Sequence, residues 1–304
     1  MSKVKTLAEI VSEIPNGAEI GLGGFIINRC PMAFAEELIR QDKKDLVLYS
    51  VMGTMEADLL VGAGCVKSYS YGGGSLDRFG KLSRVNESIE KGSPQIIEYS
   101  GLSLAQRMLA GSMGVPYIPT KTIIGSEILE KLMLDESIAR MGTNPFDGEP
   151  YLFLSALQPE YTVIHAQAAD SKGNIILEGP VWDIETAKAG KKLIVTVERL
   201  VSNEYIKQFP EKVLIPSMYT YAVAVVPGGA VPAAVYKYYD YNAEQLTIYA
   251  KANQKQETFD EYLAKYITGT KDHNEVLMRM GGLDMLNSIQ ADPVYNFARK
   301  GDDA

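Results

Sequence analysis

The chain has 304 residues, of which 46% are hydrophobic and 22% are charged, and its formal net charge is −8. A chain of this length and composition buries a large core, which excludes a disordered protein. The acidic balance argues against nucleic acid as the main partner, because binding to phosphates needs surplus Lys and Arg. Two cysteines without a CxxC pair exclude a disulfide framework and a thiolate zinc site, and they favour a reducing compartment, the cytoplasm.

Predicted helices and strands alternate from the amino terminus onward. Apolar spacing predicts a first helix over residues 4–14, with Thr6 and Glu9 as a capping box. A buried strand follows at 18–25 and runs into glycines, and Pro31 suits the first turn of the next helix. The later elements are strands at 45–51, 67–74, 95–100, 192–198 and 221–226, helices at 57–64, 102–113 and 183–190, a hairpin at 161–179, and a helical, polar tail from 243.

The alternation of strands and helices, with glycines directly after strands, predicts parallel β-α-β winding in an α/β protein. Ligands of such sheets bind at the carboxyl ends of the strands, where these glycines lie. No repeat or linker divides the chain. We therefore expect a single domain over residues 1–304, with an irregular excursion or small subdomain near 114–151, a stretch rich in Pro, Gly and charge.

The first glycine motif is Gly23-Gly24-Phe25, which follows a strand, where backbone amides can bind an anion or a thioester oxygen. Glycine is needed wherever a backbone must approach a ligand that closely. A tight turn is the alternative interpretation, and the third spaced glycine of a dinucleotide fingerprint is absent. Arg29, shortly afterwards, either faces an acidic substrate or is a surface charge.

The second glycine motif follows a later strand and consists of Gly72, Gly73, Gly74 and Ser75. Three consecutive glycines weaken a strand end and are rarely placed there for packing. We interpret them as a flexible wall of an active site, with a plain mobile loop as the alternative. A third pair, Gly228-Gly229, follows the strand at 221–226, and the sequence leaves open whether the three motifs are gathered or spread.

The two histidines lie far apart in the chain. His165 is inside an apolar strand and is predicted to be a hydrogen-bonded structural residue, whereas His273 is in a charged tail and is predicted to be solvated. Because HExxH and HxH spacings are both absent, we predict no metal site.

Three carboxylates end predicted strands: Glu98, Asp170 and Glu198. Each is a candidate general base if burial raises its pKa, and each is otherwise a turn cap or the partner of an arginine such as Arg199. Glu98, at the end of an apolar strand, is the candidate catalytic residue of this chain.

Beyond these motifs, the chain resembles the alpha subunits of class I coenzyme A transferases, and in layout the glutaconate-type alpha subunits, over nearly its full length. An NPF segment at 144–146 belongs to this likeness. The main segments occur in the expected order: GAEIGLGGF (17–25), PMAFAEELIRQ (31–41), VPYIP (115–119), VIHAQAADSKGN (163–174), LIVTVERLVS (193–202) and PGGAVPAAVYKYYDY (227–241).

This resemblance implies a doubly wound, mainly parallel α/β sheet with helices on both faces. It also implies an EC 2.8.3-type enzyme that moves coenzyme A between an acyl-CoA and a small carboxylic or dicarboxylic acid. In the family a glutamate of the beta subunit, in a Glu-x-Gly context, forms a glutamyl-CoA thioester. No convincing equivalent occurs in this chain, which implies an α2β2 or larger hetero-oligomer with coenzyme A as co-substrate and no other cofactor.

Two features depart from the family pattern. Val231 stands where the family usually has a histidine after the late glycine pair. The segment YGGGSLD (71–77) is more similar to ring-opening hydrolases that act on CoA thioesters in steroid breakdown and use an acidic residue of the alpha subunit. A C–C hydrolase that uses Glu98 is therefore the second hypothesis, and a ligand-sensing module of the same fold without turnover is the third.

Overall fold

The strands of the computed structural model, which describes residues 2–298, form one large sheet and one small sheet. The strands are β1 Glu19–Leu22, β2 Leu46–Ser50, β3 Val66–Tyr71, β4 Gln95–Glu98, β5 Tyr117–Thr120, β6 Ala139–Thr143, β7 Pro150–Ser155, β8 Tyr161–Asp170, β9 Ile175–Ile176, β10 Lys192–Val201, β11 Val213–Ile215 and β12 Thr220–Val225.

Helices follow most strands of the large sheet, as the alternating pattern predicts. They are α1 Leu7–Ser12, α2 Met32–Arg40, α3 Met55–Gly62, α4 Ser83–Lys91, α5 Gly101–Met113, α6 Glu127–Leu132, α7 Ile184–Ala189, α8 Asn203–Gln208, α9 Ala243–Ala252, α10 Gln256–Leu263, α11 His273–Arg279 and α12 Gly282–Ile289. The predicted capping box of α1 is present, since Thr6 and Glu9 bond each other's backbone amides.

Parallel pairing dominates the large sheet. Its parallel strands run in the order β12-β10-β8-β1-β2-β3-β4. The short strand β9 turns back antiparallel on β8, which confirms the predicted hairpin, and β11 pairs with β9. Because the seven strands are parallel, their carboxyl ends lie on one edge of the sheet.

Alternate residues of the central strands pack into cores on opposite faces. In β10, Ile194 joins the larger core, whereas Val195 and Val197 join a second one. The larger core is covered by α1–α4 and α9–α12, and the opposite face by α5 and α7. This arrangement confirms a doubly wound α/β fold with helices on both faces.

The region near 114–151 holds a small antiparallel sheet in the order β5-β7-β6. Leu152 and Leu154 of β7 pack against Leu104 and Met108 of α5, so this sheet shares a core with a helix of the large sheet. The excursion is thus ordered by pairing with itself and by packing against α5.

The carboxyl-terminal helices correct one expectation. Residues from 243 are helical as predicted, but they are not a polar tail, because Tyr249, Phe259 and Val276 are fully buried in the larger core. Within residues 2–298, no helix is both long and apolar enough to cross a membrane.

Candidate active site

The glycine motifs gather into two groups at the carboxyl edge of the large sheet. The turn after β12, residues 227–231, leads into Ala234, whose carbonyl accepts a hydrogen bond from Arg29 N at 2.8 Å. The first motif, the glycine corner (residues 23–29), therefore lies against this late turn. The second motif, the glycine wall (residues 72–75), lies beside the end of β2, where Gly53 N donates to Gly73 O at 3.0 Å.

The backbone amides of the glycine corner are occupied within the chain. Gly23 N donates to Val163 O at 2.8 Å, and Phe25 N donates to Asn28 O at 2.9 Å. Gly24 N donates to Asp183 Oδ2 at 3.3 Å. This corrects the expectation that these amides receive an anion, because all three already have acceptors. A substrate-facing role of the corner stays a prediction that must depend on other groups.

Arg29 is a buried residue of the corner and not a surface charge. Its side chain is 1% exposed, and Nη2 donates to Asp183 Oδ1 and to Pro180 O, both at 3.0 Å. Nη1 is buried without a hydrogen-bond partner. Beside the ion pair, the rings of Phe25 and Trp182 stack with centroids 5.0 Å apart. Asp183 thus fixes both the arginine and the Gly24 amide, a role that no sequence motif signals.

The glycine wall packs tightly against α5 instead of forming a loose loop. A Cβ on Gly72 would lie 2.6 Å from both Gly101 Cα and Val51 O, so glycine is required there. Gly73 and Gly74 amides have no acceptor among residues 2–298, and the first-turn amide of Gly101 is unpaired by helix geometry. These amides are the backbone donors that the edge offers to a developing oxyanion.

Replacing Gly72 by alanine is expected to lower the free energy of unfolding by about 1–3 kcal/mol, because the new methyl group overlaps backbone atoms that cannot rotate away. Gly101→Ala is the matched control, since its Cβ would meet Met52 Sδ at 3.6 Å, an ordinary contact. Chemical denaturation measures both variants. Equal stability of the two would show that the close approach at Gly72 is not a constraint.

A buried carboxyl group lies between the two glycine groups. Glu56, near the start of α3, is 1% exposed and sits beside the thiol of Cys30. Thr54 N donates to Glu56 Oε1 at 3.3 Å, whereas Oε2 and the Thr54 hydroxyl are buried without hydrogen-bond partners. Burial raises the pKa of Glu56 to about 8, and the hydrogen bonds offset only part of that rise. Glu56 is therefore largely protonated at neutral pH, and the sequence pattern did not identify it.

Glu98, the predicted catalytic candidate, lies at the end of the edge strand β4. Its side chain is 42% exposed, and Lys131 Nζ is 3.4 Å from its Oε2. Both residues line a cavity of about 470 Å³ between β4, α4 and α6, and Tyr71 is a neighbour. The acid is half-exposed and paired with a cation, and its catalytic role stays a prediction.

The remaining candidates are structural by their contacts. His165 is buried and hydrogen-bonded to Thr196 and Glu198, as predicted. Glu198 therefore pairs with a histidine and not with Arg199, whose Nε donates to the Tyr238 hydroxyl. Asp170 accepts hydrogen bonds from the turn amides of residues 172 and 174, so it caps the hairpin turn.

Two further positions bear on the expectations. His273 is 4% exposed and bonded to Glu36, so the prediction of a solvated histidine is wrong. Val231 is fully buried in the larger core. No cluster of three or more His, Cys, Asp or Glu within residues 2–298 has the geometry to hold a metal ion.

Known proteins resemble this chain over most of its length. The Coenzyme A transferase family model matches residues 4–225. The alpha subunit of 3-oxoadipate CoA-transferase from Pseudomonas knackmussii is 34% identical over 90% of this chain and 97% of its own. The crystal structure of glutaconate coenzyme A-transferase from Acidaminococcus fermentans has a TM-score of 0.92 at 30% identity, with 98% of this chain and 99% of that chain covered. The cholesterol ring-cleaving hydrolase IpdA subunit of Rhodococcus jostii is 26% identical over 90% of this chain and 95% of its own.

Proposed function

The chain belongs to the coenzyme A transferase family, and from that premise we propose that it is the alpha subunit of a heteromeric enzyme acting on a small carboxylic or dicarboxylic acid. The family resemblance expected from the six ordered segments is confirmed by these matches. Glutaconate and 3-oxoadipate are named for the relatives, and a dicarboxylic substrate is the class that they suggest for this chain. We also propose a cytoplasmic location.

One observation carries the proposal: the carboxyl edge offers backbone donors, but its own carboxyl groups are poor nucleophiles. Glu56 is buried and protonated, and Glu98 is paired with Lys131. A protonated carboxyl group cannot attack a thioester, because the carboxylate is the nucleophilic form. The attacking glutamate is therefore assigned to a beta subunit that closes this edge, in an α2β2 or larger assembly.

The reaction proposed for the assembled site is a sequence of acyl transfers. A partner carboxylate oxygen attacks the acyl-CoA carbonyl and expels CoA thiolate, which leaves an acyl-glutamyl anhydride. The thiolate then attacks the glutamyl carbonyl and releases the donor acid, which leaves glutamyl-CoA. The acceptor acid reverses these steps, so the thioester energy is retained. The amides of Gly73 and Gly74 would stabilise the oxyanion at each step, and coenzyme A enters as co-substrate with no other cofactor.

Trapping the intermediate tests this assignment. The chain, mixed with a partner protein that carries a Glu-x-Gly motif, is incubated with acyl-CoA and then treated with hydroxylamine or borohydride. The label is expected on the partner's glutamate, and replacing that glutamate by alanine should abolish both label and turnover. A label on this chain, or full transfer by this chain alone, would overturn the proposal.

The hydrolase hypothesis has one observation in its favour, the similarity to the ring-cleaving hydrolase subunit. It predicts that Glu98→Ala abolishes turnover while assembly is retained. For a transferase we expect Glu98→Ala to stay within about threefold of wild type, since a half-exposed ion pair contributes little. Glu149→Ala, which removes another exposed glutamate from a lysine pair, is the control. Loss of activity only in Glu98→Ala would favour the hydrolase.

A further inference from the structure

Gly228, in the late turn after β12, is hydrogen-bonded on both sides by buried charged pairs. Its N–H donates to Glu198 Oε2 at 2.8 Å, and its C=O accepts from His273 Nε2 at 2.9 Å. Its φ is +73°, and a Cβ would lie 2.9 Å from Leu277 Cδ1. One peptide segment therefore connects an acidic group and a basic group that the fold brings from β10 and α11.

The first pair is built around Glu198. Its Oε1 lies 2.7 Å from His165 Nε2 and accepts from the Tyr239 hydroxyl at 2.6 Å. Burial alone would raise the pKa of Glu198, but hydrogen bonds from His165, Tyr239 and the Gly228 amide lower it overall. Glu198 is thus an ionised acceptor, and it faces the Gly228 N–H with a full negative charge.

The second pair is built around His273. Its Nδ1 lies 2.8 Å from Glu36 Oε2, and its Nε2 faces the Gly228 carbonyl. A carboxylate and a carbonyl can only accept, so both ring nitrogens must carry hydrogen and the ring is an imidazolium. Burial alone would lower the pKa of His273, but Glu36 and the Gly228 carbonyl raise it overall. The other titratable groups facing the two pairs are Arg40 and Tyr262 near Glu36, and Tyr238 near Glu198.

The late turn is joined to the glycine corner by backbone bonds. Gly229 O accepts from Ala33 N at 3.0 Å, and Ala234 bonds Arg29 N and Ile27 O at 2.8 Å each. Loss of the proton leaves His273 with one N–H for two acceptors, so either Gly228 or Glu36 loses its bond. The protonation of one buried imidazole is thereby coupled to the backbone of the corner.

We propose that His273 and Glu198 are positioning residues that clamp the Gly228 turn and thereby hold the glycine corner in the geometry that transfer requires. Neither residue touches the reacting atoms. This inference depends on the proposed function for its catalytic consequence, but the movement of the corner is independent of it. The movement has its own readout, because Trp182, the single tryptophan of the chain, stacks on Phe25 of the corner.

The variant that tests the clamp is His273→Gln, which keeps a donor for Gly228 but cannot carry charge. With the partner present, we expect kcat to fall on the order of tenfold or more with little change in KM, as displacement of a site by fractions of an ångström produces. The alkaline fall in wild-type activity, above pH 6.5, should be lost from the variant's pH profile. Arg279→Gln, on the same helix but bonded away from the turn, is the control and should match wild type.

Trp182 emission on the isolated chain separates this inference from the transferase assignment. The titration is done in a Glu56→Gln background, because Glu56 also titrates near the corner. An emission change above pH 6.5 is expected there and should disappear when His273→Gln is added. If emission is flat without the second change, or if it persists with it, the clamp is excluded even when activity is absent. Emission of the His273 variant that matches wild type, with an unchanged kcat profile, would exclude it as well.

Discussion

Replacement of Arg29 by alanine is expected to lower the free energy of unfolding by about 3–5 kcal/mol. The change leaves the Asp183 carboxylate, 2% exposed, without its cation in the interior. It also loosens the acceptor of the Gly24 amide, because Asp183 binds both. Chemical denaturation at constant pH measures the loss, and we expect the transition midpoint to fall while the slope is retained.

Two further variants separate an uncompensated charge from a general packing defect. Arg140→Ala breaks an ion pair with Glu136 whose side chains are 65% and 78% exposed, so we expect a loss of at most about 1 kcal/mol. The double replacement Arg29→Met with Asp183→Leu removes both charges and should be more stable than Arg29→Ala alone. If Arg29→Ala were no worse than Arg140→Ala, the buried pair would not be a structural determinant of the corner.

Replacement of Glu56 by glutamine is expected to remove a loss of stability that wild type shows as pH rises. The folded pKa is about 8, whereas the ordinary value is 4.5. Between these values the folded chain holds a proton that the unfolded chain has released, so wild-type stability falls across that interval and is level above it. The total penalty is at most about 5 kcal/mol, since each pKa unit corresponds to about 1.4 kcal/mol.

Denaturation of wild type and Glu56→Gln at pH 5, 7 and 9 tests this directly. The glutamine keeps the shape of the protonated acid, so the two proteins should be closest at pH 5 and furthest apart at pH 9. Glu149→Gln, an exposed glutamate, is the control and should follow wild type at each pH. A constant difference between Glu56→Gln and wild type would show that Glu56 is ionised in the folded state.

Local pattern was sufficient to predict the strands and helices of the large sheet. Apolar runs such as those of β2 and β12, with glycines after them, indicate parallel strands directly. The small sheet was not predicted, because Pro119 and Pro150 weigh against strands. In the structure Pro119 lies on the outer strand β5 and Pro150 is the first residue of β7, two positions that a sheet tolerates.

The candidate site was predictable only in its backbone positions. Glycines after strands indicated the edge correctly, but the state of their amides depends on partners that are distant in sequence. Asp183 is 159 positions from the amide of Gly24 that it binds. His273 seemed solvated because its neighbours in the chain are charged, whereas its partner Glu36 is 237 positions away. Such contacts leave no periodic signal, so burial of charge escaped the sequence pattern.

The close approach of Gly72 to the start of α5 has a consequence for how the acid substrate is selected. A surface made of peptide groups presents only N–H donors and distinguishes an oxygen from a methyl group, but not one acyl chain from another. Bulk cannot be added at Gly72, since a single methyl group already overlaps the backbone of Val51 and Gly101. Discrimination between acids must therefore come from the variable side chains around this wall, including those of the partner, so new substrate preferences can arise while the wall itself stays unchanged.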